Sequence, residues 1–76
     1  MKASRGDDDV VYKARGDAYM LTGAYDKAVS DYTRAIENSP EYSARSYKAQ
    51  AEAYDKLGKT DLAAKDRKKA SQTWGN

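Results

Sequence analysis

The chain has 76 residues, 39% of them hydrophobic and 34% charged, with a formal net charge of +2 and neither cysteine nor histidine. These counts allow one domain with a thin core. They exclude disulfide staples, Cys/His zinc sites, thiolate chemistry and imidazole acid–base catalysis, and a charge so near balance implies no polyanionic partner by itself.

The first ten residues, MKASRGDDDV, contain no apolar h-region. No stretch of the chain approaches the roughly 20 apolar residues of a membrane span, so the expectation is a cytoplasmic chain with no membrane partner. Residues 1–8 read as a flexible lead-in, and Asp8 or Asp9 can cap the helix that follows and oppose its positive end. That first helix is expected over about 8–22, because Tyr12, Gly16, Tyr19 and Gly23 fall on one helical stripe. Gly23 supplies the left-handed residue that commonly follows a helix end. The stripe resumes with Tyr25, Ala28, Val29, Tyr32, Ala35 and Ile36, which predicts a second helix over about 25–38. Asn38-Ser39-Pro40 stops it, and proline suits the first turn of the next helix, expected over about 41–57. Gly58 ends that one, and Thr60 or Asp61 begins a fourth helix reaching about Trp74. The fold class is therefore all-α, with four helices in two stacked antiparallel hairpins.

The two halves repeat. At a shift of 35 residues Tyr12 falls on Tyr47, Tyr19 on Tyr54, Gly23 on Gly58, Asp31 on Asp66 and Ala35 on Ala70. Periods of this length mark stacked supersecondary units. The first unit carries Tyr12, Gly16, Tyr19, Gly23, Tyr25, Ala28, Tyr32, Ala35 and Pro40, an alternation of aromatic, small, glycine and proline positions that resembles the tetratricopeptide repeat. The second keeps Tyr47, Ala51, Tyr54, Gly58, Ala63 and Ala70 but replaces two aromatics with Thr60 and Arg67. The resemblance implies a helical hairpin at 9–42 and another at 43–76 that acts as the C-terminal cap. It also implies a non-enzymatic scaffold that binds a peptide or protein partner, without cofactor or metal.

Arg15-Gly16-Asp17 spells a tripeptide known from adhesion ligands. Within a helix, however, neighbouring side chains point in different directions, and Gly16, like Ala51, occupies the small-residue position where the first helix of a hairpin meets the second. The same tripeptide at 5–7 lies in the lead-in, where it would be accessible. Asp7-Asp8-Asp9 reads as capping and not as a metal site, since adjacent carboxylates entering a helix point apart. Lys65, Arg67, Lys68 and Lys69 read as the solvated face of the last helix; without interleaved aromatics they do not make a nucleic-acid platform. Of the seven tyrosines, six belong to core stripes with hydroxyls reaching the surface; Tyr42 lies off them.

By family resemblance the ligand surface is the concave face of the first helices of the two hairpins. The candidates there are Lys13, Asp17, Met20 and Leu21, with Lys48, Glu52, Asp55 and Lys56. Lys13 with Asp17 and Lys48 with Glu52 are also i,i+4 pairs that can satisfy each other. Some family members clamp a partner's terminal carboxylate with lysines and asparagines; Asp17 and Glu52 would repel such a ligand, so a carboxylate clamp is not expected here. The alternative reading is a self-associating structural unit, a homodimer or a piece of a longer array, because three or more repeats are generally needed for a stable stack.

Overall fold

Glycine and small side chains decide where this chain turns and how closely its helices approach. The computed structural model describes residues 5–39 and 43–75, and the side chains of 10–39 and 43–72. Helices α1 (Arg5–Thr22), α2 (Tyr25–Asn38), α3 (Ala44–Lys56) and α4 (Thr60–Gly75) account for most of the described residues, which contain no strand. α1 packs on α2, α3 packs on α4, and the two hairpins join chiefly through α2 and α3.

Both hairpin turns are built identically. Gly23 and Gly58 have φ of 84° and 79°, a conformation that costs other residues a Cβ clash. At the first turn Gly23 N–H donates to Met20 O at 3.3 Å and Ala24 N–H to Tyr19 O at 2.9 Å. Gly58 N–H to Asp55 O at 3.0 Å and Lys59 N–H to Tyr54 O at 2.8 Å repeat the pattern, which is a Schellman cap that satisfies the last helical carbonyls.

The expected spans for the second and fourth helices agree with α2 and α4 to within about one residue. The other two differ. α1 begins at Arg5, upstream of the expected 8. α3 begins at Ala44 and not near 41, because Ser43 is its N-cap and the Ser43 carbonyl takes the first helical bond from Tyr47 N–H at 2.8 Å. With α1 starting at Arg5, Asp8 and Asp9 lie inside it and do not cap its start, contrary to expectation. The turn at Pro40 and the surroundings of Tyr42 and Trp74 lie outside the described residues.

The core is small and mostly alanine. Ala28, Tyr32 and Ala53 are wholly buried, with Tyr19, Met20, Tyr25, Val29 and Ala49 packed around them. Ala51 and Ala63 are also inaccessible, and Ala35, Ala44 and Ala70 nearly so. Among the described residues Tyr32 alone is a large, fully buried side chain; Tyr12, Tyr19, Tyr25, Tyr47 and Tyr54 are half-buried. Gly16 explains how Tyr32 fits. A Cβ at position 16 would stand 2.7 Å from Tyr32 Cε1 and 2.9 Å from Cδ1, so the ring occupies the space a larger residue would need.

Candidate interaction surface

Arg15, Gly16 and Asp17 lie on consecutive positions of α1 and perform three separate tasks. Arg15 reaches α2, where its Nε donates to Asp31 Oδ2 at 2.8 Å and a terminal nitrogen to Oδ1 at 2.9 Å. The paired carboxylate raises the guanidinium pKa further above its ordinary value, so this cation stays charged. Gly16 receives the Tyr32 ring. Asp17 accepts from the Tyr32 hydroxyl at 2.5 Å and from Lys13 Nζ at 3.0 Å. Burial, the Asp17 bond and the charge of Glu52 together push the Tyr32 phenol well above its usual range. No extended or turn-like presentation of the tripeptide exists here, and the adhesion reading of 15–17 falls.

The eight candidates occupy α1 and α3 as expected, but their surroundings differ. Lys13 and Asp17 form the i,i+4 pair that their spacing allows. Met20 packs partly against the core cluster, which leaves less of it for a ligand. Leu21 is 89% exposed, the most accessible large apolar side chain among the described residues. Asp55 is paired with Arg67 of α4, and this contact, with Asp55's charge, raises the arginine's pKa. Lys48, Glu52 and Lys56 are exposed, and no ion pair joins Lys48 to Glu52 among the described residues.

Lys48 and Glu52 instead line an open recess of about 420 Å³ with Arg67, Ala70 and Ser71 of α4. The last three were not among the expected ligand-contact residues, and Ala70 was expected only as a small packing position. The signal that could have found them was present in the repeat register, where Arg67 stands in place of the aromatic Tyr32.

The basic residues of α4 do not act as one patch. Arg67 is engaged with Asp55, and Lys69 lies over the Tyr47 ring with its Nζ 5.7 Å from the centroid. Arg34 stands in the same relation to Tyr12, at 6.0 Å, 35 residues earlier. Such cation–π contacts hold the charges against their own hairpins.

Comparison with known families agrees with this geometry: residues 10–42 match the family model for the tetratricopeptide repeat. The first hairpin is thus similar to a tetratricopeptide repeat, with the matched unit covering α2 and most of α1. Neither the curated proteins nor the solved structures yield a match. Tetratricopeptide repeats are generally protein-interaction modules and typically non-catalytic. Among the described residues no helix is long and apolar enough to cross a membrane.

Proposed function

We propose that this chain is a non-enzymatic module that holds a peptide or protein segment on the face formed by α1 and α3. The observation that carries the reading is the state of Lys48 and Glu52, which are exposed, unpaired with each other and set at the rim of a recess. Exposed Leu21 and Lys56 on the same two helices extend the surface with one apolar and one basic side chain. A ligand with both signs of charge and an apolar contact fits this face; a purely anionic tail meets Asp17 and Glu52.

The test begins with peptides selected from a display library by the unmodified protein. Their affinity is then measured by calorimetry for Lys13→Ala, Asp17→Ala, Lys48→Ala and Glu52→Ala. The expected result is a loss in at least the Lys48 and Glu52 variants. Unchanged affinity in all four removes the α1/α3 face from consideration.

One observation favours self-association as a second reading. Val10 and Val11 are 64% and 58% exposed on α1, whereas Ser46, 35 residues after Val11, is 5% exposed on α3. The first helix thus keeps Val11 open at a position whose counterpart is closed, while Arg45, the counterpart of Val10, is exposed as well. Light scattering across a concentration series decides it, and a strict monomer at high concentration counts against pairing through these valines.

A further inference from the structure

The two hairpins fill equivalent positions differently. In the first, the ring of Tyr32 stands against Gly16 and beside Asp17. Its hydroxyl donates to Asp17 Oδ1, and the absent side chain at Gly16 makes room for the ring. In the repeat register Lys13, Asp17, Ala35 and Ile36 are the counterparts of Lys48, Glu52, Ala70 and Ser71, with Arg67 in place of the tyrosine. Arg67 does not fill the space. Its guanidinium turns to Asp55, and the recess of about 420 Å³ remains between α3 and α4. That volume falls in the range of roughly 300–1,000 Å³ typical of small-ligand sites.

We propose that this recess receives a tyrosine side chain of a bound peptide, with the phenol hydroxyl donating to the Glu52 carboxylate. The chemistry is that of Tyr32 and Asp17, supplied from outside the chain. Ala70, 2% exposed, gives the ring an apolar floor, and the planar guanidinium of Arg67 offers a surface on which an aromatic face stacks. Ser71 and Lys48 stand at the rim to meet the peptide's polar backbone groups. One difference fixes the depth of the ring. Ala51 is wholly buried where the first hairpin has Gly16, and its methyl group takes the room that Tyr32 uses. The incoming ring therefore lies farther out than Tyr32, toward Ala70 and Ser71.

The inference rests on the α1/α3 face being the ligand surface, and its test is independent of the selected peptides. N-acetyl-tyrosinamide is titrated into the isotope-labelled full chain and followed by amide chemical shifts. The expected result is saturable movement centred on Lys48, Glu52, Arg67, Ala70 and Ser71. N-acetyl-phenylalaninamide, which lacks the donor, and the Glu52→Ala variant each bind roughly threefold to tenfold more weakly, as loss of one hydrogen bond requires. The double variant Ala51→Gly/Arg67→Tyr rebuilds the first hairpin's arrangement within the second and loses the probe while keeping its helical circular dichroism. Three results overturn the proposal: no localised shifts, equal binding of the tyrosine and phenylalanine probes, or recess resonances that move with protein concentration alone and assign the space to a second copy. Loss of binding by the selected peptides in the charge variants, together with a silent probe, would leave the face intact and remove only the tyrosine pocket.

Discussion

Arg15 on α1 grips Asp31 on α2 through both carboxylate oxygens, and Asp31 is only 4% exposed. The residues 35 positions later have parted. Gln50 turns its amide to the other hairpin, donating to Val29 O at 3.1 Å and Thr33 Oγ1 at 2.6 Å, and Asp66 keeps an oxygen with no hydrogen-bond partner. One position thus serves as an internal clasp in the first hairpin and as a joint between hairpins in the second. The exchange has a geometric cause, since the same side of α1 that is open on the first hairpin is covered on α3 by α2.

Arg15→Gln, which copies the second hairpin into the first, leaves Asp31 buried without its cation. Removing one partner of a buried pair is far costlier than replacing both. Because the Arg15 side chain is half exposed and solvent screens part of the interaction, the melting temperature should fall by about 5 °C in a domain of this size. The double variant Arg15→Gln/Asp31→Ala should recover a substantial part of the loss, and a thermal-melt double-mutant cycle checks it. Equal melting of the single and double variants would show that the clasp is not what holds α1 on α2.

Gly16→Ala sets two effects against each other. Alanine gains up to about 1 kcal/mol of helix propensity over glycine, but forcing a methyl group into a filled space costs about 1–3 kcal/mol. The clash should win, because the Tyr32 ring is wholly buried and tethered by its hydroxyl to Asp17. The expected result by urea unfolding is a net loss of about 1 kcal/mol. Ala51→Gly should also destabilise, by about 1–2 kcal/mol, for the opposite reason: no ring waits there, so helix propensity and a wholly buried methyl group are both lost.

Much of this was legible in the residues alone. Gly23 and Gly58 announce their turns because a positive φ is a local demand that few other residues meet, and Gly16 announces the close contact because a small residue on a core stripe has no other purpose. The start of α3 was not legible, because Pro40 and Ser43 both carry helix-start signals and sequence does not rank them. The recess was half legible. Arg67 marked a missing aromatic, but only the turn of its side chain toward Asp55 shows that the vacated space stays open. Met20 shows a third case, in which helical spacing places a residue on the right face while the neighbouring hairpin decides how much of it remains available.

Gln50→Ala tests the joint between hairpins. Gln50 is 5% exposed and provides the side-chain hydrogen bonds from α3 to α2 described above. Thr33 Oγ1 also donates to Val29 O at 2.8 Å, so that carbonyl is not left bare and the cost should stay near 1 kcal/mol. The distribution of the loss is more telling than its size. In stacked repeats neighbouring units stabilise one another, so weakening the joint should speed amide hydrogen exchange in α3 and α4 more than in α1 and α2. Uniform acceleration across all four helices would mean that the chain opens only as a whole.

Asp66 supplies the pH dependence. It is 7% exposed, its Oδ2 has no hydrogen-bond partner, and burial raises its pKa above the ordinary value, with Lys69 opposing the shift. Burial of Tyr54, and then the charge of the same carboxylate, push that phenol upward, which places the charge between α3 and α4. A carboxyl with a raised folded-state pKa takes up its proton in the folded protein before it does so in the unfolded one. Its contribution to stability is therefore full below the unfolded value of about 3.9 and is lost as pH rises through the folded value. At pH 7 the ionised, unpaired oxygen is a liability, and Asp66→Ala should stabilise by about 1 kcal/mol, the low end of the cost of an unsatisfied buried polar group. The advantage should shrink as pH is lowered through the folded-state value, where the wild-type carboxyl takes up its proton. Urea midpoints for both proteins at neutral pH and at several points down to pH 4 measure the difference. A gap that stays constant across that range would mean that Asp66 titrates normally and that the charge between α3 and α4 is solvated after all.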